Sequence, residues 1–364
     1  MTTMLDCIER VPSLLEKIVD GAGETFREAV EAAEKRGVNE LYFIGSGTSF
    51  TGAQTARYLA EEASGLRVIA ALPEDFLYGH TVRNPDALYA FISQTGTSTA
   101  AMEALKYCRE RGFLTVGVSE SPDTPIARTA DVFLDMGCGR EEYGMRTIGY
   151  STTVMTLMWL GILIGERRGR VSKERYGQYE RQAKAAAANI PEVIRLAGRW
   201  MDKSRRRMMK SSFLSFTGTA SLTGVAMEAA VKVWEAPQIP SAGYELDEGM
   251  HGPNYGYNYN CAVFVLNDGG FGNDRALSLA RYMKREHDNG YVIGVGAMDE
   301  KDLAFAPAGG PFESLEFAAA VQVLMYRLAV DGGRDFSVLG VHAKMNSYFQ
   351  SHSEKLTAGE RENG

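Results

Sequence analysis

The chain has 364 residues, 45% of them hydrophobic and 23% charged, with a formal net charge of −7. That length suffices for two domains of ordinary size, each with its own core, at a composition typical of globular proteins. The acidic balance argues against broad binding to nucleic acid or to anionic membranes. Cys7, Cys108, Cys138 and Cys261 show neither metal-ligand spacing nor a disulfide framework, so a reduced, cytoplasmic protein without a bound metal is expected. No basic stretch leads into an apolar core at the N-terminus, and no signal peptide is expected.

Residues 1–37 predict two helices. Leu14, Leu15 and Ile18 share one face; Phe26, Ala29, Val30 and Ala33 share another, and Gly37 ends the second helix. An apolar strand at 41–44 then runs into Gly45-Ser46-Gly47-Thr48-Ser49, and a helix follows over 51–63. Residues 66–71 and 87–92 predict strands. The latter opens into Ser93-Gln94-Thr95-Gly96-Thr97-Ser98 and a helix over 99–111. Strands at 113–118 and 132–134 follow. Strands alternating with helices predict parallel βαβ units with helices on both faces of each sheet. The apolar run at 154–165 is too short to span a bilayer and predicts a buried or interface helix.

A polar, helical connector occupies 166–212, its arginines most simply a solvated helix face. The first pattern then recurs: a strand at 213–217 running into Gly218-Thr219-Ala220-Ser221, a long helix, strands at 261–265 and 291–295, and an apolar helix at 317–328. Gly47 to Gly218 is 171 residues and Gly117 to Gly294 is 177, so one α/β unit reads as duplicated.

In an open parallel sheet, ligands bind beyond the carboxyl ends of the strands. The two Ser/Thr-rich loops lie at such ends, each before a helix whose N-terminal amides suit a phosphate. Hydroxyls of Ser46, Thr48, Ser49, Ser93, Thr95 and Ser98 and the Gln94 amide supply donors, and Gly47 and Gly96 let the backbone approach. Neither loop is a Walker or dinucleotide fingerprint. One such loop alone reads equally well as a helix cap; two on neighbouring strands favour a phosphate ligand.

These residues resemble the two phosphosugar loops of SIS (sugar isomerase) domains, and the likeness is nearest to the isomerase half of glucosamine-6-phosphate synthase. Met227-Glu228-Ala229-Ala230-Val231-Lys232-Val233-Trp234-Glu235 resembles that enzyme's catalytic helix, and Glu248-Gly249-Met250-His251-Gly252-Pro253 resembles its Glu-x-x-His-Gly-Pro loop. The resemblance implies an α/β fold of two tandem SIS domains. Its expected parts are N-terminal helices (1–37), a first SIS domain (38–167), a connector (168–210), a second SIS domain (211–340) and a tail (341–364). It also implies a homodimer or larger assembly with an interface active site, the histidine coming from the same or the partner subunit.

Two departures narrow the expected chemistry. The chain enters its helices directly from Met1-Thr2-Thr3-Met4, so a glutamine-hydrolysing domain is not expected. The stretch Val341-His342-Ala343-Lys344-Met345-Asn346 does not match the synthase tail with its Schiff-base lysine, so neither Lys344 nor Lys355 is carried over. Stand-alone members of the family include deglycases of fructosamine-type 6-phosphates such as fructoselysine or glucoselysine 6-phosphate, whose substrates already carry the amine.

Glu228, Lys232 and Glu235 lie at i, i+4 and i+7, along one helix face. Apolar neighbours Val231, Val233 and Trp234 favour a functional face over a solvated ion-pair stripe. Glu235 is expected to move a proton between C1 and C2, with Lys232 and Glu228 in support, and His251 to assist ring opening. His80, His287, His342 and His352 have weaker claims. Tyr244, Tyr255, Tyr257 and Tyr259 either shape a pocket near His251 or pack in the core. The alternatives are an aldose–ketose isomerase, an amino-sugar-phosphate deaminase, or a non-catalytic sugar-phosphate sensor. No cofactor is expected.

Overall fold

The computed structural model describes residues 2–79, 82–334, 336, 345 and 347–352. His80, His342, Lys344 and Lys355 lie outside them. Helix α1 (Met4–Asp20) opens with a capping box: the Thr3 hydroxyl accepts from the Asp6 amide, and the Asp6 carboxylate accepts from the Thr3 amide. It buries Leu15 and Ile18 but leaves Leu14 half-buried. A short α2 (Ala22–Thr25) leads into α3 (Arg27–Arg36), which ends at Gly37 in the left-handed conformation. Three helices thus stand where the periodicity predicts two.

The first lobe follows as β1 (Glu40–Gly45), α4 (Thr48–Ser64), β2 (Arg67–Ala71), β3 (Ala87–Ile92), α5 (Thr99–Glu110), β4 (Leu114–Ser119), α6 (Pro125–Thr129), β5 (Val132–Asp135) and α7 (Ile148–Arg167). Its strands are all parallel, in the order β2-β1-β3-β4-β5. The predicted connector is one 36-residue helix, α8 (Lys173–Met208), which carries Pro191 in its interior.

The second lobe comprises β6 (Phe213–Gly218), α9 (Ser221–Glu235), β7 (Ser241–Glu245), β8 (Cys261–Asn267), α10 (Asn273–His287), β9 (Gly290–Gly294), β10 (Leu303–Ala304) and α11 (Ser314–Asp331). Its order is β10-β9-β8-β6-β7, again all parallel. The two orders are the same permutation, so the tandem architecture expected from the repeat is present. The edge strands β7 and β10 escape the sequence pattern. Ser-Ala-Gly-Tyr-Glu and Leu-Ala carry too few apolar side chains to read as strands.

Sheet register sharpens the repeat. Gly45, pairing with Ile92, corresponds to Gly218 at the end of β6, 173 positions later. At both glycines a Cβ would strike the side chain four residues on, Ser49 Cβ at 2.6 Å and Leu222 Cβ at 2.7 Å. Against 173, the offset of 171 read from Gly47 is two residues short and the 177 read from Gly117 is four over, because glycine identity alone does not fix register.

Helices α4, α7, α9 and α11 fill the space between the two sheets. Helix α7 is long and apolar enough to cross a membrane by length and composition, longer than the apolar run at 154–165 suggests. The 18-residue window that meets those criteria lies entirely inside the protein. All four cysteines are buried and unpaired. Small residues set the close crossing of α4 and α9: a Cβ at Gly224 would lie 2.2 Å from Thr55 Oγ1 and 2.9 Å from the Thr51 carbonyl oxygen. One turn beyond that crossing, α9 presents Glu228.

Candidate functional site

The hydroxyl-rich loops lie at the carboxyl ends of β1 and β3, as expected. Gly47 is the N-cap of α4 at φ 56° and ψ −127°, a conformation that disfavours any side chain. Ser98 is the N-cap of α5. Neither helix receives a side-chain capping bond. Side-chain capping therefore does not account for these serines and threonines: at the edge of a hydroxyl-lined cradle, backbone carbonyls of Ser46 and Gly47 serve the Ser49 and Phe50 amides of α4, and that of Ser351 serves the Thr99 amide of α5. Ser46 and Gly47 are exposed, Thr48, Ser49, Thr95 and Ser98 half-buried, and Ser93 buried.

Gln94 sits deeper than a ligand contact needs. It is 8% exposed, and its carboxamide nitrogen donates to Glu141 over 3.3 Å. Glu141 in turn accepts from the amides of Thr147, Ile148 and Gly149, capping α7. The Gln94 carboxamide thus braces the loop from behind.

The predicted face of α9 meets the first lobe. Glu228 and Lys232 are 0% and 1% exposed, and Glu235 is 31% exposed at the rim. The Lys232 ammonium donates to Thr48 Oγ1 at 2.8 Å and Glu235 Oε2 at 2.6 Å, and lies 3.2 Å from Glu228 Oε1. Glu228 also accepts from Thr48 Oγ1 at 3.2 Å and Thr51 Oγ1 at 2.5 Å. A fully buried ammonium is tolerable only with its donors satisfied, and here three oxygens serve three N–H groups. The solvated-stripe reading of this Glu-x-x-x-Lys is therefore set aside.

Electrostatics follow from that burial. Burial pushes the Glu228 carboxyl up to about 7; Lys232 opposes this, and the Glu235 charge adds to it. Burial also disfavours the Lys232 ammonium, but the carboxylates of Glu228 and Glu235 outweigh it and hold its pKa above the ordinary lysine value. Lys232 is accordingly a fixed cation and a poor nucleophile. The site pairs a fixed positive charge with one carboxylate at its exposed rim.

His251 stands apart from this triad. Its side chain is 68% exposed, and its bonds stay within its own loop. Nδ1 lies 2.8 Å from the Asp247 carbonyl oxygen; a carbonyl only accepts, so Nδ1 carries the proton and Nε2 is the outward nitrogen. Tyr257, 7% exposed, donates to the Gly249 carbonyl and braces the loop, whereas Tyr255 and Tyr259 are exposed. Tyr244 and Tyr257 line a cavity of about 280 Å³ with Phe213 and Pro253.

Sequence reasoning missed Thr51, Thr55 and Tyr150. Thr55 Oγ1 and the buried Tyr150 hydroxyl lie 2.7 Å apart beneath Glu228. The available signal was the i, i+3 and i+7 placement of Thr51 and Thr55 after Thr48 on one helix. His352, given a weak claim above, lies at the second loop: its Nδ1 is 3.1 Å from Thr97 Oγ1, and it forms an antiparallel bridge with Ser98. Among the described residues, no three His, Cys, Asp or Glu side chains group so as to hold a metal ion.

Comparison with known proteins bears on the family and the fold. Residues 36–163 match the SIS domain model. The isomerizing glutamine–fructose-6-phosphate aminotransferase of Bartonella henselae is 25% identical over 250 residues, covering 69% of this chain and 41% of that protein. The chain thus spans about two fifths of the length of that curated relative. A candidate phosphosugar isomerase from Clostridium difficile 630 superposes with a TM-score of 0.87 at 24% identity, covering 98% of this chain and 100% of the other. The C-terminal domain of glucosamine-fructose-6-phosphate aminotransferase from Francisella tularensis does so with a TM-score of 0.83 at 20% identity, covering 91% and 96%. At these identities, the superpositions speak to fold.

Proposed function

We propose, for a chain that belongs to the SIS domain family, that it is a deglycase: it cleaves a 6-phosphorylated sugar–amine adduct of the fructosamine or glucosamine type into a hexose 6-phosphate and a free amino acid. The observation that carries this reading is the Lys232 ammonium, which holds Thr48 of the first lobe's loop and Glu235 of the second at once. A sugar phosphate anchored at Ser46, Gly47, Thr48 and Ser49 and at Ser93, Thr95 and Ser98 would extend toward Glu235.

The chemistry then assigned to the site is proton transfer. His251, through its outward Nε2, assists opening of the sugar ring. Glu235 takes the proton from one of C1 and C2 and returns it to the other, interconverting the ketosamine and an aldose imine. Water adds to the imine carbon, the C–N bond breaks, and the amine leaves with a proton. Lys232, ion-paired on two sides, is ill suited to form an imine of its own. A substrate that arrives already carrying nitrogen needs no such lysine. The exposed histidine loop fits a site completed at an interface between two copies of the chain.

A panel of fructosamine- and glucosamine-type 6-phosphates tests the proposal, read by release of hexose phosphate and free amino acid. Release of ammonia, or an isomerised sugar alone, would replace it with the deaminase or isomerase reading. Glu235→Gln should lower kcat by roughly 10²–10⁴-fold, the range of a lost acid–base group, while sugar-phosphate binding stays measurable. Unchanged turnover would remove Glu235 from the mechanism.

A further inference from the structure

The Thr48 hydroxyl and the Thr48 amide face different tasks. The amide belongs to the first turn of α4, at the mouth of the cradle. The hydroxyl is committed elsewhere: it accepts from Lys232 Nζ at 2.8 Å and donates to Glu228 Oε1 at 3.2 Å. We infer that Thr48 couples occupancy of the phosphate loop to the Lys232–Glu235 pair, so that the non-reacting end of the substrate positions the proton-moving carboxylate at the other.

The physical case rests on saturation. Lys232 has three N–H groups and three oxygen partners, so any shift of Thr48 must be answered by a turn of the ammonium. Glu228 cannot follow, because it is fully buried and pinned by Thr51 at 2.5 Å. Glu235, at the rim and 31% exposed, is the partner free to move. A phosphate drawing the 46–49 backbone toward itself therefore acts on Glu235 through one hydroxyl. This is a route by which binding energy from a remote group can serve the reacting centre. The inference rests on the reading of 46–49 as a phosphate loop and requires nothing about which bond the enzyme breaks.

Coupling of this kind is reciprocal, so a change at Glu235 must alter phosphate affinity. The test is calorimetric titration of inorganic phosphate into the full chain as wild type, Glu235→Gln, Thr48→Val and the double variant. Glu235→Gln should shift the phosphate Kd by roughly fivefold or more in the wild-type background and by less than about 1.5-fold beside Thr48→Val, as expected if one residue carries the linkage. Thr48→Ser, which keeps the hydroxyl, should restore the shift caused by Glu235→Gln, and Thr48→Ala stands in if the valine variant does not fold. An equal shift in both backgrounds would mark a plain charge effect and overturn the inference, as would no shift in either. Failure of wild type to bind phosphate at all would instead sink the phosphate reading of the loop.

Discussion

The two lobes share a strand order and a turn geometry but not a chemistry. In the first, the strand ends open into uncharged hydroxyls and helix N-termini. In the second, the loop after β6 keeps hydroxyls at Thr219 and Ser221, but the loop after β8 holds Asp268, beside Glu313 before α11. Burial pushes the Glu313 carboxyl up to about 8, and the neighbouring Asp268 charge adds to it. An ionised carboxylate at that rim repels a phosphate. Glu316 beside it is buried and spent on the amides of Ala308 and Gly309 and on Asn189. The second lobe meets the first lobe's loop with the flank of α9, not with its strand ends. On the proposed reading, duplication has left one copy as anchor and the other as donor of reactive groups.

Three changes would break or sharpen that comparison. The largest effect is expected from Lys232→Met, which strands Glu228 beside Glu235 without a counter-charge. Breaking a buried pair in this way costs ~3–5 kcal/mol, readable by chemical denaturation. The loss should shrink at acid pH, because a protonated Glu228, with its pKa raised to about 7, needs no cation. A pH-independent loss would mean that the charge of Glu228 is not what Lys232 balances.

A smaller effect concerns the N-caps. Ala220 precedes α9 at φ 46° and ψ −122°, close to the angles of Gly47 before α4. Backbone strain of this sort is ~1–3 kcal/mol, and glycine gives back ~0.5–1 kcal/mol in unfolded-state entropy. Ala220→Gly should therefore stabilise the protein by about 1 kcal/mol, and Gly47→Ala should do the reverse. A fall in Tm for Ala220→Gly would show that the two caps are not equivalent.

The smallest effect is a pH slope. Glu313 titrates higher in the folded chain than its ordinary value of 4.5, so the stability it contributes is full below about pH 4.5 and is lost as pH rises through about 8. Glu313→Gln should flatten the dependence of Tm on pH across that window; identical profiles would put the titration elsewhere.

How much was legible depended on whether a feature is local. The alternation of apolar strands with helices, the two hydroxyl loops and the spacing of Glu228, Lys232 and Glu235 are local patterns, and the structure contains all of them. The edge strands β7 and β10 were not legible, since neither has the burial that writes an apolar run. Nor was the depth of Gln94, which depends on Glu141, 47 residues away.

By itself the sequence determined the repeated α/β architecture and which residue types line its strand ends, because hydrophobic period and helix-start chemistry are written in neighbouring residues. Only the tertiary structure decided what those residues face. Thr48 and Lys232 are 184 positions apart, and they meet because Gly224 lets α9 settle against Thr51 and Thr55 of α4. A buried ammonium takes its meaning from the oxygens around it, and only close packing of the two lobes brings those oxygens together.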